Sequence, residues 1–252
     1  MIIFNTDLDN TLIYSYKHDI GENKRNVEIY QGREISFITD NTYRLLCELK
    51  EKILIVPTTT RTQEQFERID LGIGKFKYAL VCNGGILLVD GKRDNDWIKE
   101  SYEIIKGCRA ELEKATNILE NETRRKFETR FIEEMFVFTK CNDPDEVVKD
   151  TKELLDESLV EVFNNGEKVY VVPKALSKGV AIERFKRYIG ADQIYAAGDS
   201  EFDISMVLKA DVGIVPCGYK EKYVNEDRLV QMSGEKLFSD ELLEYIIEKV
   251  DI

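Results

Sequence analysis

The chain opens with an apolar run, Ile2-Ile3-Phe4-Asn5-Thr6, that leads directly into Asp7-Leu8-Asp9-Asn10-Thr11. In an extended segment residues two apart project from the same face. Asp7 and Asp9 therefore stand side by side where a strand ends. Neighbouring carboxylates repel, and each raises the other's pKa unless a cation or a donor compensates. Such a pair suits a metal ion, a phosphate ester, or both. The plainer reading is a strand followed by an Asp/Asn-rich turn, and the motif alone does not separate the two.

Three further stretches offer related chemistry. Thr58-Thr59-Thr60-Arg61 follows an apolar run at 53–56 and presents hydroxyls and backbone N–H groups at a helix start, a natural anion site. Read blandly, it is a helix capped by Thr62. Lys178-Gly179 opens a helix after Ser177, where a cation opposes the helix dipole and is either solvated or aimed at an anion. Gly198-Asp199-Ser200-Glu201-Phe202-Asp203 puts two carboxylates just past a buried strand, and the carboxyl ends of parallel strands are where α/β sheets bind ligands. A capped helix start is the alternative there.

Elements that could position these groups follow from periodicity. Strands at 2–6, 53–56, 78–82, 193–197 and 212–215 alternate with helical patterns, which argues for an α/β fold with a mainly parallel sheet. Residues 27–30 and 34–38 flank Gln31-Gly32 as a β-hairpin. Asp40 is placed to cap a helix carrying Leu45, Leu46 and Leu49 on one face. From Gly84 to about Lys174 the texture changes. A long charged helix is expected over 97–119, then a strand at 136–139, and a helix with Asp143 as cap and Pro144 at its first position. A hairpin over 159–172 turns at Asn164-Asn165-Gly166 and closes this α+β insert. Helices are then expected from Ser177 to Gly190, over 203–208, and from about Asp240.

DxDxT, a strand-end threonine, Lys-Gly and GDxxxD, in that order, resemble the haloacid dehalogenase (HAD) superfamily of phosphatases. The insert resembles the large α/β cap of the Cof-type and sucrose-phosphatase-like branch. Asn83-Gly84-Gly85 matches the Asn-Gly leading into that cap, and Val172-Pro173 to Lys178-Gly179 with Gly198-Asp199-Ser200 is like the branch's closing signature. The resemblance implies a Rossmann-like parallel-sheet core over 1–83 and 175–252 and an inserted cap over 84–174, hinged near Gly84-Gly85 and Lys174-Ala175. It implies Asp7 as nucleophile and Asp9 as general acid and base. Mg²⁺ would be held by Asp7, the backbone carbonyl of Asp9, Asp199 and Asp203. Thr59, Thr60 and Lys178 would bind phosphate, with Thr11, Arg61, Asn83 and Ser200 in support. The chain departs from the pattern at Phe202, where Asn is usual, and at Thr60, where glycine is usual. The segment between Leu12 and Asp40 is also longer, an enlarged flap.

Composition narrows the partners. Thirty-six basic and 48 acidic residues give a net charge of −12, a surface that repels nucleic acid and anionic membranes. The single histidine, His18, sits in a polar stretch and reads as a surface residue, which disfavours triads and His-rich metal sites. Five scattered cysteines without a C-x-x-C pair read as reduced thiols of a cytoplasmic protein. No membrane span or secretory signal is expected. The activity that the resemblance implies is Mg²⁺-dependent hydrolysis of a small phosphate ester, a sugar phosphate. The alternatives are a phosphomutase of the phosphomannomutase type and a catalytically retired ligand-binding relative. Within the insert, Trp97, Arg124, Arg125 and Arg130 read better as a solvated helix face than as substrate contacts. Substrate identity and oligomeric state are left open.

Overall fold

The computed structural model describes residues 1–224 and 226–250. The chain divides into two compact units, Met1–Arg93 with Lys178–Ile252, and Asp94–Ser177. The change of texture and the resemblance put the boundaries at 83/84 and 174/175; the two compact units divide at 93/94 and 177/178.

The first unit begins with β1 (Ile2–Thr6), buried beyond its first residue. Strands β2 (Tyr14–Ser15), β3 (Lys24–Tyr30) and β4 (Arg33–Thr39) form an antiparallel sheet in the order β2-β4-β3. Gln31 and Gly32, both at positive φ, make the expected hairpin turn. Helix α1 (Asp40–Leu49) buries Leu45, Leu46 and Leu49 as its period requires. Its cap is Thr39 and not Asp40. The Thr39 hydroxyl accepts from Thr42 N at 2.9 Å, while Asp40 is the first helical residue and pairs with Arg25. Next come β5 (Leu54–Pro57), the short α2 (Gln63–Glu67), β6 (Tyr78–Val81), β7 (Ile86–Val89) and β8 (Lys92–Arg93). β6, β7 and β8 pair in sequence, so Gly84 and Gly85 lie in the turn of a hairpin inside this unit.

In the second unit the expected long helix is two, α3 (Asn95–Ile105) and α4 (Arg109–Glu120), parted by a 3₁₀ turn at Lys106–Cys108. Gly107, a poor helix former, sits in that break. Strands β9 (Arg130–Ile132) and β10 (Phe136–Lys140) follow, then α5 (Pro144–Leu154), β11 (Val160–Asn165) and β12 (Lys168–Pro173). Asp143 precedes α5 in a left-handed conformation, φ 50°, and its side chain makes no cap hydrogen bond. The antiparallel sheet, ordered β11-β12-β10-β9, packs Val137, Val162, Val169 and Val171 on α4 and α5 residues Leu112, Leu119 and Val147. Trp97 is buried. Arg124 and Arg125 lie beyond α4, and Arg130 lies on β9, so the four do not form a solvated helix face.

The chain returns to the first unit with α6 (Lys178–Ile189), β13 (Gln193–Ala197), α7 (Ile204–Lys209), β14 (Val212–Val215), α8 (Tyr219–Lys222), β15 (Val230–Gln231) and α9 (Phe238–Val250). Strands β15-β14-β13-β1-β5 form an all-parallel sheet. The side chains of α1 and α9 join one core with Phe4, Tyr195 and Ile214. Val215, which faces the other way from Ile214, packs with Val207 of α7. The sheet is thus covered on both faces, as an all-parallel sheet requires.

Candidate active site

Register sets the site. Thr6 of β1 pairs with Pro57 of β5 and Ala197 of β13. The next residues, Asp7, Thr58 and Gly198, are therefore level at one carboxyl edge. The main chain fastens them there: Asp7 N donates to Ala197 O at 2.9 Å and Thr58 N to Thr6 O at 2.7 Å.

Lys178, the first residue of α6, is 1% exposed and lies between two carboxylates. Its Nζ donates to Asp7 Oδ1 at 2.6 Å and to Asp203 Oδ1 at 2.5 Å. Burial works against the ammonium charge, but Asp203 and Asp7 outweigh it and raise its pKa. Asp7 is held well above the ordinary carboxyl value by burial, relieved by Lys178 and reinforced by Asp203, Asp199 and Asp9. Asp199 is pushed up to about 7 by burial and by Asp203.

Asp203 is the organiser of its loop. Its Oδ2 accepts from Asp199 N at 3.2 Å, Ser200 N at 3.0 Å and Ser200 Oγ at 2.8 Å. Thr11 Oγ1 reaches Asp199 Oδ1 at 3.4 Å. Asp7, Asp199 and Asp203 each bring an oxygen within 4.8 Å of the others. Three hard oxygen donors in so small a space, with a buried lysine among them, fit a hard divalent cation. Asp203 already uses both oxygens, which suits it to support more than to direct ligation.

Asp9 faces a different partner. Arg61 Nε and Nη2 grip its two oxygens at 2.7 Å each, a bidentate fork. The third nitrogen, Nη1, donates to Glu28 Oε1 at 2.8 Å. Thr59 is fully buried, its Oγ1 accepting from Arg61 N at 3.2 Å. Thr62 caps α2 in a capping box with Gln65, the plainer reading of that stretch. Asn83 is buried at φ 58°, next to Cys82 at φ 51°, and its N–H donates to Thr59 O at 2.9 Å. Asn tolerates that left-handed conformation better than most side chains. Phe202 is buried.

The structure thus brings Asp7, Asp199, Asp203 and Lys178 into one cluster, with Thr11 and Ser200 hydrogen-bonded to it. Asp9, Arg61 and Thr59 form an adjoining chain, and Thr60 lies between Thr59 and Arg61. His18 is exposed and edge-on to Tyr14. Cys82, Cys108 and Cys141 are buried, and no disulfide joins the described cysteines. Sequence reasoning missed Glu28. Its only signal was an acidic residue inside the Val27-Glu28-Ile29 strand pattern, where a charge has to find a partner. No helix among the described residues is long and apolar enough to cross a membrane.

A family model for haloacid dehalogenase-like hydrolases matches residues 77–215, more than half of the chain. The protein belongs to that family. No curated protein matches the sequence. Among solved structures, the sucrose-phosphatase of Synechocystis sp. PCC6803 in complex with sucrose and phosphate is 14% identical with a TM-score of 0.67, over 100% of this chain and 98% of that one. BT1666 of Bacteroides thetaiotaomicron, a phosphatase of the HAD superfamily, is 15% identical with a TM-score of 0.59, over 99% and 96% of the two chains. The HAD subclass IIB sugar phosphatase BT4131 is 16% identical with a TM-score of 0.58, over the whole of both. Likeness at these identities is likeness of fold.

Proposed function

We propose that the protein is a Mg²⁺-dependent phosphatase that hydrolyses a small phosphorylated metabolite, a sugar phosphate, through an aspartyl-phosphate on Asp7. The observation that carries this reading is the buried Asp7–Lys178 pair at the carboxyl edge of the parallel sheet. An acid and a lysine held there match the chemistry of the hydrolase family, and the sugar phosphatases of the same fold favour the substrate class.

A carboxylate oxygen of Asp7 attacks phosphorus in line as the bond to the leaving oxygen breaks, and Asp9 gives that oxygen a proton. Asp9, now a carboxylate, takes a proton from a water that attacks the same phosphorus. Asp7 is released and inorganic phosphate forms. Lys178, Thr59 and Thr60 hold the non-bridging oxygens, where charge gathers in the transition state. Asp7, the Asp9 carbonyl and Asp199, helped by Asp203, would hold Mg²⁺, which when bound would offset the repulsion between an anionic nucleophile and an anionic substrate.

The test is a panel of phosphate esters assayed for phosphate release with Mg²⁺ and with excess chelator. Wild type should turn over sugar phosphates only with the metal, and Asp7→Asn should be silent because an amide does not attack phosphorus. Turnover by pure Asp7→Asn would refute the nucleophile. Bisphosphate formation would point to a mutase, and an inactive folded protein to a binding role.

A further inference from the structure

Glu28 is a buried carboxylate on β3, its side chain 1% exposed, in the hairpin that lengthens the chain between Leu12 and Asp40. It is fully engaged. Oε1 takes Arg61 Nη1 at 2.8 Å and Arg68 Nε at 3.3 Å, and Oε2 takes Ser36 Oγ at 2.7 Å. Ser36 sits on β4, so the paired strand fixes the carboxylate's orientation. Burial pushes the Glu28 carboxyl up, but its bonds to Arg61, Ser36 and Arg68 outweigh this and hold it below its ordinary value. It is charged at neutral pH.

The consequence lies on the far side of Arg61. A guanidinium is a rigid plane whose five N–H donors point in fixed directions. With Nη1 held by Glu28 at 2.8 Å, and more loosely by Gln65 O at 3.4 Å, the fork of Nε and Nη2 has one direction left, and that direction is Asp9. Asp9 itself has half of its side chain exposed, at 50%, against 13% for Arg61. A buried ion pair adds little net stability over an apolar replacement, so the use of this one is geometric.

We propose that Glu28 is a positioning residue: by fixing Arg61 from behind, it sets where the Asp9 carboxyl stands for its proton transfer to the leaving oxygen. The proposal rests on the phosphatase reading above. It gives the hairpin a part in the chemistry beyond that of a flap.

The test separates leaving groups. p-Nitrophenyl phosphate releases a stable phenolate that needs no proton, whereas a sugar phosphate releases an alkoxide that does. kcat/KM ends at loss of the leaving group, so the later base role of Asp9 does not enter. With Mg²⁺ present, Glu28→Ala should lower kcat/KM for the sugar phosphate by about 10- to 100-fold, within the worth of general acid catalysis, and for p-nitrophenyl phosphate by under about threefold. Glu28→Gln, which keeps an oxygen for Arg61, should recover part of the difference. If the alanine variant does not fold, Glu28→Asp keeps the charge but withdraws it by one methylene, and the same split is expected. Equal losses on both esters, or none, overturn the proposal while leaving the phosphatase standing. Wild-type protein that hydrolyses neither ester defeats the phosphatase reading, and this proposal with it.

Discussion

Lys178 Nζ lies 2.6 Å from Asp7 Oδ1 although 171 residues separate them in the chain, and neither side chain is more than 8% exposed. An ammonium in so dry a place is stable only because carboxylates surround it, and Lys178 in turn opposes the burial that raises the Asp7 pKa. The lysine therefore serves the fold, and the proposed function gives it a second task at the phosphoryl group.

Lys178→Ala should reveal both. Removing one partner of a buried charge pair costs about 3–5 kcal/mol, so the melting temperature should fall by on the order of 10 °C. In protein that remains folded, kcat/KM should drop alike for p-nitrophenyl phosphate and for a sugar phosphate, since both carry the same phosphoryl group. A loss that reorders the two esters would place Lys178 at the leaving group instead.

The acidic cluster should bind Mg²⁺ without substrate. Ligand that binds only the folded state at about 100 times its Kd adds roughly 2.7 kcal/mol, so calorimetric melting should rise with added Mg²⁺. Asp199→Asn should lose that rise and, in chelator, melt no lower than wild type, because it removes a charge that Asp203 opposes. An equal Mg²⁺ shift in the variant would remove Asp199 from the metal site.

Much of this site was legible in the sequence because strand ends are. Asp7, Asp199 and Lys178 each follow an apolar run or open a helix, and parallel pairing leaves such residues one shared edge. Glu28 was not legible, since its partner Arg61 stands 33 residues away and only folding brings the two together. Local spacing also misplaced the α1 cap by one residue, because Asp is the stronger capping type of the adjacent pair Thr39 and Asp40. It read through Gly107 as continuous helix, and it passed over β9, whose three residues, Arg130–Ile132, are too few to show alternation.

Glu28 should also leave a trace in stability against pH. Its folded pKa lies below the ordinary 4.5, so its contribution is full above that value and is lost as pH falls through the lower, folded one. The stability difference between wild type and Glu28→Gln, from urea unfolding, should be flat from about pH 7 to pH 5 and shrink below that. A difference that grows on acidification would mean that the carboxyl is protonated in the native state.

Gly198 should tolerate no side chain. A Cβ there would stand 2.3 Å from Asp203 Cβ and 2.4 Å from its Cγ, and Asp203 is pinned between Lys178 and the N–H groups of Asp199 and Ser200. Gly198→Ala must push that carboxylate away, a form of overpacking that costs about 1–3 kcal/mol, and the acidic cluster should open with it. Both the melting temperature and the Mg²⁺-induced rise should fall. Gly107 provides the contrast, because a Cβ there meets nothing within 4 Å. Gly107→Ala should be neutral or stabilise by up to about 1 kcal/mol, with the Mg²⁺ response intact. If Gly198→Ala melts like wild type and still responds to Mg²⁺, then Asp203 is not the fixed support on which the loop and its acids depend.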